Sequence, residues 1–102
     1  MAKIQHMVLF EFNEEATKDV IDNIFIELSG LQACCPGILH YAGGPYSSPE
    51  GMNGAYTHGF LMTFDSAENR DIYLPHPEHE RVKALILPHI KNVVAFDCED
   101  HS

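Results

Sequence analysis

Two stretches of the chain, KIQHMVLFEF (residues 3–12) and THGFLMTF (residues 57–64), are apolar on both faces when read as strands. Successive side chains of a strand point to opposite sides of the sheet. In the first stretch His6, Val8, Phe10 and Phe12 share one face, and Met7 and Leu9 share the other. In the second, His58, Phe60, Met62 and Phe64 lie on one face, with Gly59 and Leu61 behind. A sheet made of such strands has to be covered on both sides. Any fold for this chain must account for both covers.

One cover is written between the strands. Val20, Ile21, Ile24, Phe25, Leu28 and Leu31 recur at helical spacing, with Lys18, Asp19, Asp22 and Glu27 mostly opposite and Thr17 placed as the cap. Pro36 and Gly37 end that helix. Ile38 to Tyr46 reads as a second strand interrupted at Gly43-Gly44-Pro45, and Ser47 to Ala55 as a turn-rich loop, either a lid or a connection. Asp65 or Ser66 caps a short helix through Tyr73, which Pro75 and Pro77 break. A further helix runs from near Pro77 to about Leu87, with Val82, Leu85 and Ile86 as its buried stripe, and Lys91 to Cys98 is the last strand.

The order is β-α-β-β-α-β. With right-handed crossovers it gives an α+β, ferredoxin-like fold, a four-stranded antiparallel sheet with helices on one face. The second face still needs a cover, and the simplest is another copy of the same sheet, which makes a C2 homodimer.

The 102 residues suit one domain, residues 1–102. A net charge of −9 argues against nucleic acid and anionic membrane surfaces, both of which reward basic patches. No apolar run approaches the roughly 18 residues of a membrane span, and MAKIQHMVLFEF reads as a strand rather than a signal peptide. Of the three cysteines, Cys34 and Cys35 are adjacent, where a bridge would be strained. All three read as reduced thiols of a cytoplasmic protein.

The segment YLPHPEHE, Tyr73 to Glu80, carries the chemistry. In the inferred topology the first strand lies between the third and fourth, and the last helix starts where the fourth strand ends. Tyr73, His79, His6 and Asp97 therefore gather at one end of the sheet, although they span the sequence. His58 begins the third strand and falls roughly 20 Å from the His6 end. It is either a buried histidine held by one hydrogen bond or a lining residue at the other mouth.

A histidine exchanges protons near neutrality, a carboxylate behind it fixes its tautomer, and a tyrosine hydroxyl donates to a carbonyl or enolate oxygen. The set suits proton abstraction beside a carbonyl, with His79 as base, Tyr73 as donor and His6 or Asp97 as the orienting group. The plainer alternative is that HPEH only starts a helix, with proline in the first turn and Glu78 and Glu80 at its positive end. His76 and His79 are an HxxH pair, but catalytic zinc wants three protein ligands, and no metal is expected. There is no phosphate loop or Ser-His-Asp order, and no cofactor is expected.

HMVLFEF, CCPGI, GAYTHGFLMTF, YLPHPEH and VVAFD, in this order from about Gln5 to Asp97, resemble the stress-responsive dimeric α/β-barrel family, Dabb. The resemblance implies a ferredoxin-like protomer whose sheet closes into a barrel with that of a second copy. It implies a small, mostly apolar organic molecule as ligand. One branch of the family works as a polyketide cyclase, in which a tyrosine and a histidine placed like Tyr73 and His79 are the catalytic pair. His6 and Asp97 also match that branch, whereas its apolar lining for an alkyl tail has no match here. Other members are stress-associated proteins, which implies a third possibility, a non-catalytic assembly protein.

Overall fold

The structure, a computed structural model, describes residues 2–102. The elements follow in the order β1 (Ile4–Phe12), α1 (Lys18–Cys34), β2 (Ile38–Pro45), β3 (His58–Phe64), α2 (Ala67–Tyr73), α3 (Pro77–Ile86), a 3-10 turn (Leu87–His89) and β4 (Ile90–Glu99). The four strands form one antiparallel sheet in the order β2-β3-β1-β4. This is the ferredoxin-like arrangement expected from the sequence.

Side-chain caps set the helix starts. The Thr17 hydroxyl accepts from the amide of Val20, and the Ser66 hydroxyl accepts from the amide of Asn69. Each satisfies one of the amides that a helix start leaves unpaired. His76 caps α3 in the same way, with Nδ1 accepting from the Glu78 amide, and Pro77 sits where a missing amide proton costs nothing.

The core lies between the helices and the inner sheet face. Ile24, Leu28 and Leu31 of α1 and Val82 and Ile86 of α3 are buried with Ile4, Val8, Phe10, Phe60, Met62 and Phe64 of the central strands. Burying each such side chain fully contributes roughly 1.5–3 kcal/mol. Leu85, expected in the stripe of α3, is instead 41% exposed, because that helix turns only Val82 and Ile86 inward.

Two further expectations are corrected. Gly43-Gly44-Pro45 does not interrupt β2, which runs on through Pro45; the irregularity falls between Ile38 and His40. As an edge strand, β2 tolerates proline, whose missing donor faces no partner. The register places His6 opposite Met62, near the end of β3 as expected but two residues short of it. His58 is thus four residues from the His6 row, about 13 Å along the strand instead of 20 Å.

The outer sheet face carries an apolar band. Leu9 pairs with Val94 and Met7 with Phe96 across β1 and β4. Leu9, Val94 and Phe96 are 42, 43 and 60% exposed. No described helix is long and apolar enough to cross a membrane.

Candidate functional site

The strand register builds the inner wall of the site. Tyr41, Met62, His6 and Asp97 stand opposite one another in a single row across β2, β3, β1 and β4. His6 is buried at 6% exposure. Its Nδ1 lies 2.5 Å from Asp97 Oδ1, and Arg70 of α2 donates to the other oxygen, Oδ2, at 2.8 Å. The carboxylate accepts from both sides, so Nδ1 of His6 carries the proton and Nε2 is left free. Arg70 is a site residue that the sequence reading missed.

The outer wall comes from the end of α2 and the start of α3. Tyr73 is fully buried. Its ring packs 5.9 Å from His6, 5.0 Å from Phe64 and 4.4 Å from His79. The four expected residues, Tyr73, His79, His6 and Asp97, are therefore one connected group. His79 lies 2.7 Å from the Leu74 carbonyl through Nδ1. A carbonyl only accepts, so Nδ1–H donates, and Nε2 of neutral His79 holds a lone pair.

The electrostatics follow from burial. Desolvation lowers the proton affinity of His79, partly offset by the bond to Leu74, so the imidazole is neutral at pH 7. Desolvation raises the Tyr73 phenol well above the ordinary tyrosine value, with Cys35, Asp97 and Tyr41 adding to it, so it remains a donor. Cys35, buried nearby, is pushed up to about 11 by burial and by the Cys34 thiol 3.9 Å away.

The Tyr73 hydroxyl has no hydrogen-bond partner. Neither has the Tyr41 hydroxyl on β2, which burial pushes up to about 12. Buried polar atoms are nearly always paired, and each exception calls for an explanation.

His76 and His79 each spend Nδ1 on local backbone, one capping α3 and the other closing on Leu74. Among the described residues no group of three or more His, Cys, Asp or Glu is placed to hold a metal.

His58 lies at the other end, half-buried, with Nδ1 2.8 Å from Thr57 Oγ1 and its ring against Phe12 and Phe25. It lines two concavities. One, of 710 Å³, opens on the outer sheet face between Leu9, Leu61 and the 46–57 loop. The other, of 500 Å³, opens between α1 and β2. The loop holds itself in place: Gly51 donates to the Tyr46 hydroxyl at 2.9 Å and the Asn53 amide to the Tyr56 carbonyl at 2.7 Å.

The family model of the stress responsive A/B barrel domain (Dabb) matches residues 4–100. The chain belongs to that family. A stress-response A/B barrel domain-containing protein of Arabidopsis thaliana is 30% identical over 95 residues, covering 92% of this chain and 35% of the plant protein. The chain thus spans about a third of that relative's length. A dimeric ferredoxin-like protein of unknown function from Jannaschia sp. superposes with a TM-score of 0.86 at 28% identity, covering 96% of this chain and 99% of the other. A hydroxynitrile lyase from Passiflora edulis shares the fold, with a TM-score of 0.92 at 18% identity over 99 and 95% of the two chains.

Proposed function

We propose that this member of the stress responsive A/B barrel family works as a homodimer whose helix–sheet interior binds a small, mostly apolar organic molecule through the Tyr73 hydroxyl. One observation carries the reading: Tyr73 Oη is buried among aromatic rings with no partner. A donor held unpaired in an apolar shell costs stability, and a ligand's acceptor oxygen would supply the missing bond. Tyr73 is closed to solvent, so binding requires movement of α2 or α3 against the sheet. The dimer is supported by the exposed band of Leu9, Val94 and Phe96 and by the Jannaschia protein, described as dimeric.

Native mass spectrometry of the protein as purified, before dialysis, tests both parts. The expected result is a dimer carrying a discrete small-molecule mass that is lost in Tyr73→Phe. A monomer would overturn the dimer, and a bound mass retained in Tyr73→Phe would overturn the role of the hydroxyl.

A second reading makes the same site an enzyme of cyclase or isomerase type. It is favoured by His79, whose Nδ1–H is committed to Leu74 while burial keeps Nε2 unprotonated at neutral pH. Nε2 would take a proton beside a carbonyl held by Tyr73, with the Arg70–Asp97–His6 chain as the orienting group. His79→Ala should then abolish solvent deuterium exchange into a bound ketone while leaving the fold intact. Exchange that persists in this variant would sink the enzyme reading.

A further inference from the structure

Tyr73 is not alone in lacking a partner. Tyr41 sits in the same sheet row as His6, with Met62 between them. At about 4.8 Å per strand its backbone is roughly 10 Å from that of His6, against which Tyr73 packs. Both hydroxyls are buried without a partner, one approaching the interior from β2 and the other from α2. Met62, which stands between Tyr41 and His6 in that row, is fully buried, and its unbranched thioether is the kind of core group that yields most readily to a guest.

The surroundings of Tyr41 are also specific. A methyl group on Gly43 would lie 2.5 Å from the Tyr41 oxygen and 3.0 Å from the ring of Phe25. The bare α-carbon of Gly43 is thus the seat for both. Two concavities, of 500 and 470 Å³, share Asp22, Phe25 and Gly43 in the seam between α1 and β2, and Tyr41 lines the smaller one. The hydroxyl therefore lies immediately behind the seam, with Phe25 in front of it.

We infer that Tyr41 is a second hydrogen-bond donor of the ligand site, so that the site takes an apolar molecule bearing two acceptor oxygens at opposite ends. The inference rests on the reading of Tyr73 given above. A single acceptor would leave one of the two phenols unpaired, whereas a molecule spanning Met62 satisfies both.

The test uses three probes of closely matched shape: 4-methoxyacetophenone with an acceptor at each end, 4-ethylacetophenone with one, and 1,4-diethylbenzene with none. Binding is followed on the Met62 methyl resonance. Wild type should prefer the first to the second and the second to the third, each step roughly 2- to 10-fold. Tyr41→Phe should erase the first step and keep the second. Tyr73→Phe should erase the second. Equal binding of 4-ethylacetophenone and 1,4-diethylbenzene by wild type overturns the Tyr73 reading and this inference with it. An unchanged order in Tyr41→Phe, with Tyr73→Phe behaving as expected, overturns the role of Tyr41 alone. Without probe, Tyr41→Phe should melt no lower than wild type. A lower melting temperature would mean the hydroxyl already has a partner in the fold, and would also overturn the inference.

Discussion

His6 and Asp97 stand directly opposite each other on β1 and β4, with Nδ1 of one 2.5 Å from Oδ1 of the other. The contact joins residues 91 positions apart in the chain. Arg70 closes it from α2, so one carboxylate ties the sheet edge to the helix layer. Asp97→Ala leaves the His6 Nδ1–H and the Arg70 guanidinium without their acceptor. The expected loss is about 2 kcal/mol, since bonds to charged groups are the stronger kind. Urea unfolding of Asp97→Ala beside Asp97→Asn checks it, the amide losing less because its oxygen still accepts.

Tyr73→Phe acts in the opposite direction. It removes an unpaired hydroxyl and keeps the ring that packs on His6, Phe64 and His79. The variant should be about 1 kcal/mol more stable than wild type by chemical denaturation. A clear loss of stability would show that the hydroxyl is already bonded within the fold.

The pH dependence follows from His79. Burial holds its native proton affinity below that of the unfolded chain, which titrates near 6.5. Between the two values the unfolded chain binds more protons, so stability rises with pH. The contribution is fully present above about pH 6.5 and is lost as the pH falls through the native value. Burial lowers His58 in the same sense. His79→Gln should flatten the slope of unfolding free energy below about pH 6.5, and His58→Gln should remove a further part of it. An unaltered slope in both would show that other groups set it.

Gly43→Ala drives a methyl group into the Tyr41 oxygen and the Phe25 ring. Overpacking of this kind costs roughly 1–3 kcal/mol. Thermal unfolding should show the loss, and the double variant with Tyr41→Phe should recover part of it, because the atom nearest the new methyl group is the Tyr41 oxygen.

Phe96→Asp places a charge in the exposed band of the outer sheet face, where Phe96 pairs with Met7. If that band covers a second copy, light scattering should find monomers at concentrations where wild type is dimeric. The inner site should keep its native spectrum, since Phe96 lies on the opposite side of the sheet from His6.

The fold was legible because each element carries its own period and its own cap. Strand directions alone bring Tyr73, His79, His6 and Asp97 to one end, and the packed group of those four residues follows that logic. The exact register was not legible. Alternation assigns a face to His6 but does not distinguish Met62 from Phe64 as its partner, since both lie on that face. Arg70 was hidden for a different reason: its charge reads as ordinary helix surface until the short α2 is laid against the end of β4. Tyr41 reads as one more aromatic of a strand. Only the burial of its hydroxyl without a partner singles it out. The Gly43-Gly44-Pro45 misreading came from local rules for interior strands, while β2 is at an edge.

The position of β1 has a consequence for synthesis. It occupies the middle of the sheet, yet one of its two neighbours is the last strand in the chain. A ribosome-bound chain that has released β1 to β3 can pair them, but one side of β1 stays bare until residues 90–99 emerge. Such long-range pairing is slow, and the waiting edge is open to mispairing with other nascent chains. Asp97 arrives with that final strand, so His6 gains its acceptor only when the sheet is completed.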